Sequence, residues 1–358
     1  MSLLTSVDAC PSQVDDFRVR LDEALHDFLR ARQDLAPELG AELRGLVLAG
    51  GKRIRPTFAW WGWRAAGGTP HADAVVRAMV ALELLQCCAL VHDDVMDRSA
   101  TRRGKPSVHE SFAALHLHQR WAGSARQYGD SAAVLVGDLA LAWADDALVT
   151  AGLPADALSR AWTPWQAMRT EMITGQHLDL LAVARREESL EHAIRVAVLK
   201  TAAYTVERPL HLGAALAGAD DDVVDCLRAY GHDIGVAFQL RDDLIGVFGD
   251  SSVTGKPVGE DLREGKRTPL MAIALSRAQG KPAAQRLLRR CLENGGVTER
   301  LVDDVSALLI ELGAVSTVEE HIEVLARSGL AALDRAEIDD HARHELVRLA
   351  GRAVARTT

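Results

Sequence analysis

The sequence has few of the features that mark secreted, zinc-binding or nucleic-acid-binding proteins. Its 358 residues include only five cysteines and no CxxC pair, so we expect neither a disulfide framework nor a zinc site. Lysine and arginine total 41 against 50 aspartates and glutamates, and the net charge of −9 disfavours nucleic acid as a partner. These shortages predict a reduced, cytoplasmic protein.

Long apolar runs and a secretory start are also missing. No uninterrupted apolar run approaches the ~18 residues that a membrane span needs, so we expect no transmembrane segment. The beginning of the chain is polar and contains Asp8, Asp15 and Asp16, where a signal peptide would have a basic region followed by an apolar one.

What the chain does contain is helical periodicity. Aromatic residues make up only 4% of the sequence, and β-branched residues with period-two alternation are scarce, whereas Ala, Leu, Arg and Glu are plentiful. We therefore predict one all-α domain over residues 1–358, with two helices near the C-terminus preceded by helices at Asp15–Leu35, Val75–Val95, Ala132–Ala151, Pro164–Ala184, Leu190–Leu216, Val223–Val247, Pro269–Ala278, Ala283–Asn294 and Leu301–Leu312.

Two stretches, Arg98–Gly129 and Gly249–Arg267, lack this periodicity and are predicted to be loops. Loops of this length inside a compact domain are often functional. Each directly follows an apolar helix that ends near a pair of aspartates, Asp93-Asp94 or Asp242-Asp243.

The two aspartate pairs predict a metal site. Asp97 follows Asp93 by four residues, so both carboxylates stand on one side of the helix and repel each other. Carboxylate oxygens without a His/Cys cluster favour Mg²⁺ held together with a phosphorylated substrate. We predict that the two acidic helix ends face one cavity and share a metal cluster.

Basic residues accompany these acidic ends. They lie in a glycine-containing segment, in the two predicted loops and within one helix: Lys52, Arg55, Arg102, Arg103, Lys200, Lys256 and Lys266. Together with the aspartates, they predict a site for two polyanions, one held through metal ions and one through direct Arg and Lys contacts.

Six sequence elements resemble, in order and spacing, the trans-isoprenyl diphosphate synthases, or polyprenyl synthetases. These elements are GGKRIRP at Gly50–Pro56, LVHDDVMD at Leu90–Asp97, RRGKP at Arg102–Pro106, KTA at Lys200–Ala202, FQLRDD at Phe238–Asp243 and GKPVGEDLREGKRTPL at Gly255–Leu270. The resemblance implies an isoprenoid synthase-type helical bundle around a deep central cavity, usually as a homodimer.

The resemblance also implies the reaction. About three Mg²⁺ ions, which Mn²⁺ can replace, would be held by Asp93, Asp97 and Asp242, with Asp94 and Asp243 orienting ligands or water. A dimethylallyl, geranyl or farnesyl diphosphate ionises, the double bond of isopentenyl diphosphate attacks the carbocation, and a proton is lost. The products are a trans-polyprenyl diphosphate and diphosphate.

Individual roles follow from the matching positions. The resemblance assigns the isopentenyl diphosphate pocket to Lys52, Arg55, Gln86 and Arg103. It assigns contacts with the allylic diphosphate to Arg102, Lys200, Lys256 and Lys266. Thr201 and Gln239 match groups whose dipoles face the carbocation.

One position departs from the family pattern. Gly246 stands where much of the family has a third aspartate in the second motif. We expect metal binding to survive, with Asp250, four residues further on, compensating through water.

Product length is expected to depend on the side chains that lie eight, five and four residues before Asp93, namely Leu85, Cys88 and Ala89. No aromatic side chain closes the cavity at the last two positions, and Leu85 lies about 12 Å from Asp93 at a rise of ~1.5 Å per residue. We therefore expect geranylgeranyl diphosphate (C20), with longer polyprenyl products and farnesyl diphosphate (C15) as alternatives.

Two rival interpretations of the same motifs are a class I terpene cyclase and a non-catalytic synthase subunit. A class I terpene cyclase would not need Lys52, Arg55 and Arg103. A non-catalytic synthase subunit commonly loses one aspartate motif, whereas this chain keeps both.

Overall fold

The computed structural model describes residues 14–69, 72–249, 259–293 and 297–354, and nearly all of its regular structure is helical. The all-α class predicted from the sequence is therefore confirmed. The helices of the first half are α1 (Val14–Arg30), α2 (Pro37–Leu48), α3 (Ile54–Ala65), α4 (Ala72–Asp97), α5 (Val108–His118), α6 (Ala125–Val149) and α7 (Ala155–Arg185).

The second half continues the helical pattern. Its α-helices are α8 (Leu190–Ala197), α9 (Arg208–Ala217), α10 (Asp221–Phe248), α11 (Glu260–Arg263), α12 (Pro269–Arg277), α13 (Pro282–Leu292), α14 (Glu299–Glu311), α15 (Ala314–Ala332) and α16 (Asp340–Val354). A π-helical segment, Val198–Glu207, joins α8 to α9, and a 3₁₀ turn, Leu333–Arg335, follows α15.

The described chain divides into two compact units. Unit 1 comprises the described residues up to Trp165 together with Pro209–Val224 and Ile338–Ala342; unit 2 comprises Gln166–Arg208, Asp225–Glu337 and the described residues from Arg343. The segments of the two units alternate along the chain, so no single cut separates them. The single domain predicted over 1–358 stays a prediction.

Unit 1 depends on close helix approach. A Cβ atom added at Gly62 of α3 would lie 2.5 Å from the carbonyl oxygen of Leu210 in α9, and one at Gly213 would lie 2.0 Å from that of Ala59. Tryptophans fill the space beside this contact: Trp60 stacks on Phe17 with ring centroids 5.0 Å apart and is fully buried. Small residues thus set the helix spacing, and large rings fill the remaining volume.

Unit 2 has its own apolar core, formed by α10 and the helices from α11 to α15. Tyr230 of α10 is fully buried, and its hydroxyl donates a hydrogen bond of 2.7 Å to the carbonyl oxygen of Leu346 in α16. That bond satisfies the only polar atom of a side chain that burial otherwise stabilises.

By length and composition alone, α4 could cross a membrane, whereas the sequence analysis predicted no transmembrane segment. However, 78% of its most apolar window is buried inside the fold, as expected for a core helix. Its apolar residues cover nearly every face because protein, rather than water, surrounds it.

A two-residue hairpin follows α4. Strands Thr101–Arg102 and Lys105–Pro106 pair antiparallel, with Thr101 opposite Pro106 and Arg102 opposite Lys105. The connecting residues, Arg103 (φ 53°) and Gly104 (φ 72°), both have left-handed backbone conformations. Two successive positive φ angles are typical of the type I′ turn, whose twist matches that of paired strands.

Three sequence-based assignments were wrong, and one of them is the predicted loop Gly249–Arg267, which contains α11. The predicted loop Arg98–Gly129 contains α5 and the start of α6; the S-x-x-E pattern of Ser107–Glu110, a helix-start signature, marks this helix in the sequence. Pro164, expected to begin a helix, lies inside α7 instead. A proline removes one helical hydrogen bond, and the surrounding helix nevertheless continues.

We predict that Gly62→Ala destabilises the protein by about 1–3 kcal/mol, because the new methyl group would overlap the Leu210 carbonyl oxygen. The control is Gly45→Ala in α2, where no atom lies within 4 Å of the added Cβ. That control should be neutral or stabilising by up to about 1 kcal/mol. Urea unfolding measures both, and equal effects would contradict the packing described for α3.

Candidate active site

The end of α4 brings the first aspartate motif to an arginine. Asp94 is 2% exposed, and its Oδ1 accepts hydrogen bonds from Nε (2.9 Å) and Nη2 of Arg102. The same guanidinium lies 3.5 Å from an oxygen of Asp93. Burial raises the pKa of Asp94 against the opposing effect of Arg102. The Asp94 carboxylate is thus already paired with the Arg102 guanidinium. Asp93 and Asp97 are half-buried and lie one helical turn apart.

The hairpin turn connects this motif with the glycine-containing segment before α3. Nη1 of Arg103 donates a hydrogen bond of 2.5 Å to the carbonyl oxygen of Gly50. A Cβ atom at Gly51 would lie 3.3 Å from the same guanidinium. The structure therefore brings Arg103 to the segment that carries Lys52, as expected for two residues of one anion pocket.

The remaining residues predicted for that pocket lie in the same unit. Lys52 is exposed, whereas Arg55 and Gln86 are half-buried. The carbonyl oxygen of Lys52 accepts a hydrogen bond of 2.9 Å from Arg18. Their contact with a diphosphate stays a prediction.

Sequence reasoning missed Arg53, which fixes this segment. Its backbone is left-handed (φ 50°), and its side chain is 5% exposed. Its guanidinium donates to Glu83 of α4 (2.5 Å), to Asp22 of α1 (3.0 Å) and to the carbonyl oxygen of Val47 (3.1 Å). The signal for this role was Glu83 itself, an acidic residue within an otherwise apolar helix that needs a partner when buried.

In unit 2, the predicted catalytic residues Lys200 and Thr201 lie in the π-helical segment. Nζ of Lys200 forms an ion pair of 2.6 Å with Oδ2 of Asp179 in α7, a residue that sequence reasoning also missed. A Cβ atom at Gly175 would lie 2.2 Å from the backbone nitrogen of Lys200. Glycine thus lets α7 approach the segment closely enough for Asp179 to reach this lysine.

The second aspartate motif places its two acids in different surroundings. Asp242 is exposed, whereas Asp243 is 4% exposed and accepts a hydrogen bond of 2.7 Å from the Gln239 amide at Oδ1. The other oxygen, Oδ2, has no hydrogen-bond partner among the described residues. Burial raises the pKa of Asp243 well above its usual range, and the nearby carboxylates of Asp261 and Asp242 add to the effect.

Lys266, predicted to contact a diphosphate, pairs with Glu264 (2.7 Å) and Asp261 (3.2 Å). Lys256 and Asp250 lie outside the described residues. The two aspartate motifs belong to different units, and their sharing of one metal cluster stays a prediction.

The residues predicted to limit product length lie on α4 as expected. Leu85 and Cys88 are buried, and Ala89 is half-buried. The Cys88 thiol lies 3.8 Å from Nδ1 of His92, whose Nε2 donates to the carbonyl oxygen of Val134 at 3.1 Å. Burial raises the pKa of Cys88 to about 12, so this side chain is a neutral thiol near neutral pH.

The donor atoms fit Mg²⁺ bound jointly with a substrate. Over the described ranges, no three His, Cys, Asp or Glu side chains are grouped closely enough to hold a metal by themselves. Magnesium is usually bound by one or two carboxylates plus substrate phosphates rather than by a complete protein cage. In unit 1, the half-buried pair Asp93 and Asp97 suits a cation that arrives with a diphosphate. In unit 2, the buried Oδ2 of Asp243, without a hydrogen-bond partner among the described residues, also suits a cation.

Comparison with known proteins gives concordant results. A family model described as polyprenyl synthetase matches residues 37–309. The chain is 35% identical over 306 residues to the (2E,6E)-farnesyl diphosphate synthase of Mycobacterium tuberculosis H37Rv, covering 82% of this chain and 79% of that protein. It is 34% identical over 285 residues to the geranylgeranyl diphosphate synthase of the same strain, covering 79% and 75%.

A solved structure is also similar over nearly the whole chain. It is the geranylgeranyl pyrophosphate synthase from Corynebacterium glutamicum, complexed with isoprenyl diphosphate and magnesium. The TM-score is 0.92 at 44% sequence identity, covering 96% of this chain and 100% of that one.

We predict that Arg53→Ala lowers the free energy of unfolding by about 3–5 kcal/mol, because Glu83 would stay buried without its cation. The control is Arg30→Ala, which removes an exposed ion pair with Asp27 and should cost no more than about 1 kcal/mol. Urea unfolding compares the two. Equal stability of the two variants would show that Arg53 does not hold the segment.

Proposed function

The chain belongs to the polyprenyl synthetase family, and we propose that it condenses isopentenyl diphosphate with an allylic diphosphate to give geranylgeranyl diphosphate and diphosphate. It is a trans-prenyltransferase. The observation that carries the proposal is the family match over residues 37–309, which includes both aspartate motifs and the basic residues described above.

Binding of the allylic diphosphate is assigned to the acidic helix ends and to Arg102, Lys200, Lys256 and Lys266. Asp93, Asp97 and Asp242 would hold about three Mg²⁺ ions, for which Mn²⁺ can substitute. Mg²⁺ held by these residues would supply positive charge to offset the charge that develops on the departing diphosphate. The magnesium in the similar Corynebacterium glutamicum structure supports this choice of metal.

Basic side chains of this proposed site already pair with acidic side chains. Arg102 is held by Asp94, and Lys200 by Asp179. These pairs orient the cationic groups before substrate arrives, so less side-chain entropy is lost on binding. The diphosphate oxygens then accept hydrogen bonds from guanidinium and ammonium groups that are already in position.

Isopentenyl diphosphate is assigned to Lys52, Arg55, Gln86 and Arg103. The bond from Arg103 to the Gly50 carbonyl oxygen, and the anchoring of the neighbouring Arg53, support this assignment for the segment that carries Lys52. Guanidinium groups suit this task because they present several N–H donors to phosphate oxygens in a fixed geometry.

The carbocation would be stabilised by the oxygen dipoles of Thr201 and Gln239. The amide nitrogen of Gln239 donates to Asp243. That bond fixes the amide orientation, so the carbonyl oxygen, its negative end, points away from Asp243. Such preorganised dipoles lower a barrier because they need not reorient as charge develops.

The C20 product is proposed from the residues of α4 and from the similar synthases. Cys88 is small and Ala89 smaller, whereas Leu85 is fully buried one turn further from the motif. The relatives include farnesyl, geranylgeranyl and geranylfarnesyl diphosphate synthases, so product length varies among them. We also propose a homodimer, testable by light scattering, and a cytoplasmic location.

The test is a direct assay. The purified protein is incubated with Mg²⁺, labelled isopentenyl diphosphate and, separately, dimethylallyl, geranyl or farnesyl diphosphate, and the products are sized by chromatography. A C20 product is expected. Products of another length would contradict only the proposed length, and no condensation with any primer would overturn the function.

We predict that Asp93→Ala lowers turnover by about a thousandfold. Loss of a metal ligand would remove several kcal/mol of transition-state stabilisation. The fold should persist, because the substitution removes a repulsion with Asp97. The control is Asp304→Ala, at an exposed position of α14, which should retain turnover. Near-parental turnover in Asp93→Ala would overturn the metal assignment.

We predict that Cys88→Phe shortens the main product, because an aromatic ring would fill volume on the predicted cavity side of α4. Cys88→Ala is the matched control and should not shorten it. Product sizing from farnesyl and geranyl diphosphate distinguishes these results. An unchanged length in Cys88→Phe would show that this position does not limit chain growth.

A further inference from the structure

The departure at Gly246 has a structural counterpart within unit 2. A Cβ atom added at Gly246 would lie 2.0 Å from Oδ2 and 2.5 Å from Cγ of Asp261. The carboxylate of Asp261 therefore occupies the volume that a side chain at position 246 would need. An acidic group lies at this position of the motif although residue 246 itself has none.

The position of Asp261 is set by its own surroundings. It lies in α11, directly after Gly259 (φ 73°) and Glu260. Its Oδ1 pairs with Nζ of Lys266 at 3.2 Å, and its carbonyl oxygen accepts a hydrogen bond of 3.0 Å from the Lys266 backbone. With Oδ1 held by lysine, Oδ2 is the oxygen directed towards position 246.

A second observation points to a cation at this location. Oδ2 of Asp243 is buried and has no hydrogen-bond partner among the described residues, although the side chain is only 4% exposed. A buried carboxylate oxygen without a donor is unfavourable unless positive charge compensates it. The ammonium group of Lys266 already pairs with Asp261 and Glu264. Compensation of the charge on Asp243 therefore needs a further cation.

We propose that Asp261 supplies, from α11, the carboxylate that the second aspartate motif lacks at position 246, and that Gly246 provides the space for it. This inference rests on the proposed function, in which Asp242 binds Mg²⁺ with the allylic diphosphate. The sequence analysis expected Asp250 to compensate for Gly246; in this proposal Asp261 does so instead. Adding an aspartate at 246 should therefore harm the site, because two carboxylates would compete for one volume.

The experiment uses four variants of the full chain: Asp261→Ala, Asp261→Asn, Gly246→Asp and the double variant Gly246→Asp/Asp261→Ala. The readout is Mn²⁺ affinity, measured by electron paramagnetic resonance with a non-hydrolysable farnesyl diphosphate analogue, alongside turnover. Circular dichroism checks folding, and Asp261→Asn, which keeps the side-chain shape, covers the case in which Asp261→Ala fails to fold.

We expect Asp261→Ala and Asp261→Asn to weaken Mn²⁺ affinity by about 10–100-fold, the effect usual for groups that support a metal site. Gly246→Asp alone should weaken it as well. The double variant should recover affinity to within about threefold of the parent, because the new aspartate would then occupy the vacated volume.

Two controls separate this role from others. Asp304→Ala removes an exposed aspartate elsewhere in unit 2 and should leave Mn²⁺ affinity unchanged. Glu264→Gln removes the other partner of Lys266 and should change affinity by less than about twofold, since the lysine is still held by Asp261. A loss in Glu264→Gln as large as in Asp261→Ala would show that the effect acts through Lys266 and would overturn the proposal.

The proposal is also overturned if Asp261→Asn binds Mn²⁺ as the parent does, or if the double variant is no better than Asp261→Ala. The parent protein tests the proposed function separately through its turnover. A parent that turns over while the double variant shows no recovery contradicts only the role of Asp261. If the parent does not turn over, the Mn²⁺ affinities still decide the inference.

Discussion

The cost of burying a carboxylate without a cation is the constraint on which the site depends. An unpaired buried carboxylate is costly, so a cation must lie beside each one or must be bound from solution. Both units supply such cations: Arg53 lies between Asp22 and Glu83, and Lys200 lies beside Asp179. Lys200 is itself proposed to receive a diphosphate, and Arg53 anchors the segment that carries Lys52. Fold stability and substrate binding therefore depend on neighbouring charges.

Close backbone approach makes these pairings possible. Gly175 lets α7 come near the π-helical segment, and Gly246 leaves room for the Asp261 carboxylate. A π-helical stretch within a longer helix is unusual and often lies at a functional site, as Val198–Glu207 does if Lys200 binds diphosphate. Positions without side chains thus determine which charged side chains can meet.

Much of the fold and part of the site could be predicted from the sequence. Apolar periodicity located α4 and α10 because their apolar residues recur over many turns, and the acidic residues at their ends stand out against that background. Arg53, Asp179 and Asp261 could not be found this way. Each acts through a partner that the fold brings close, and a local pattern does not identify that partner. For Arg53 the one hint in the sequence was Glu83, an acidic residue within an apolar helix.

The hairpin after α4 has a consequence for how the enzyme can vary. Arg102 reaches the aspartates of α4, and the next residue, Arg103, reaches the carbonyl oxygen of Gly50. One peptide bond therefore links the proposed pockets for the two substrates. Surface loops usually tolerate insertions, but an added residue here would turn one of the two arginines away. We therefore expect this turn to tolerate neither an insertion nor the replacement of either arginine.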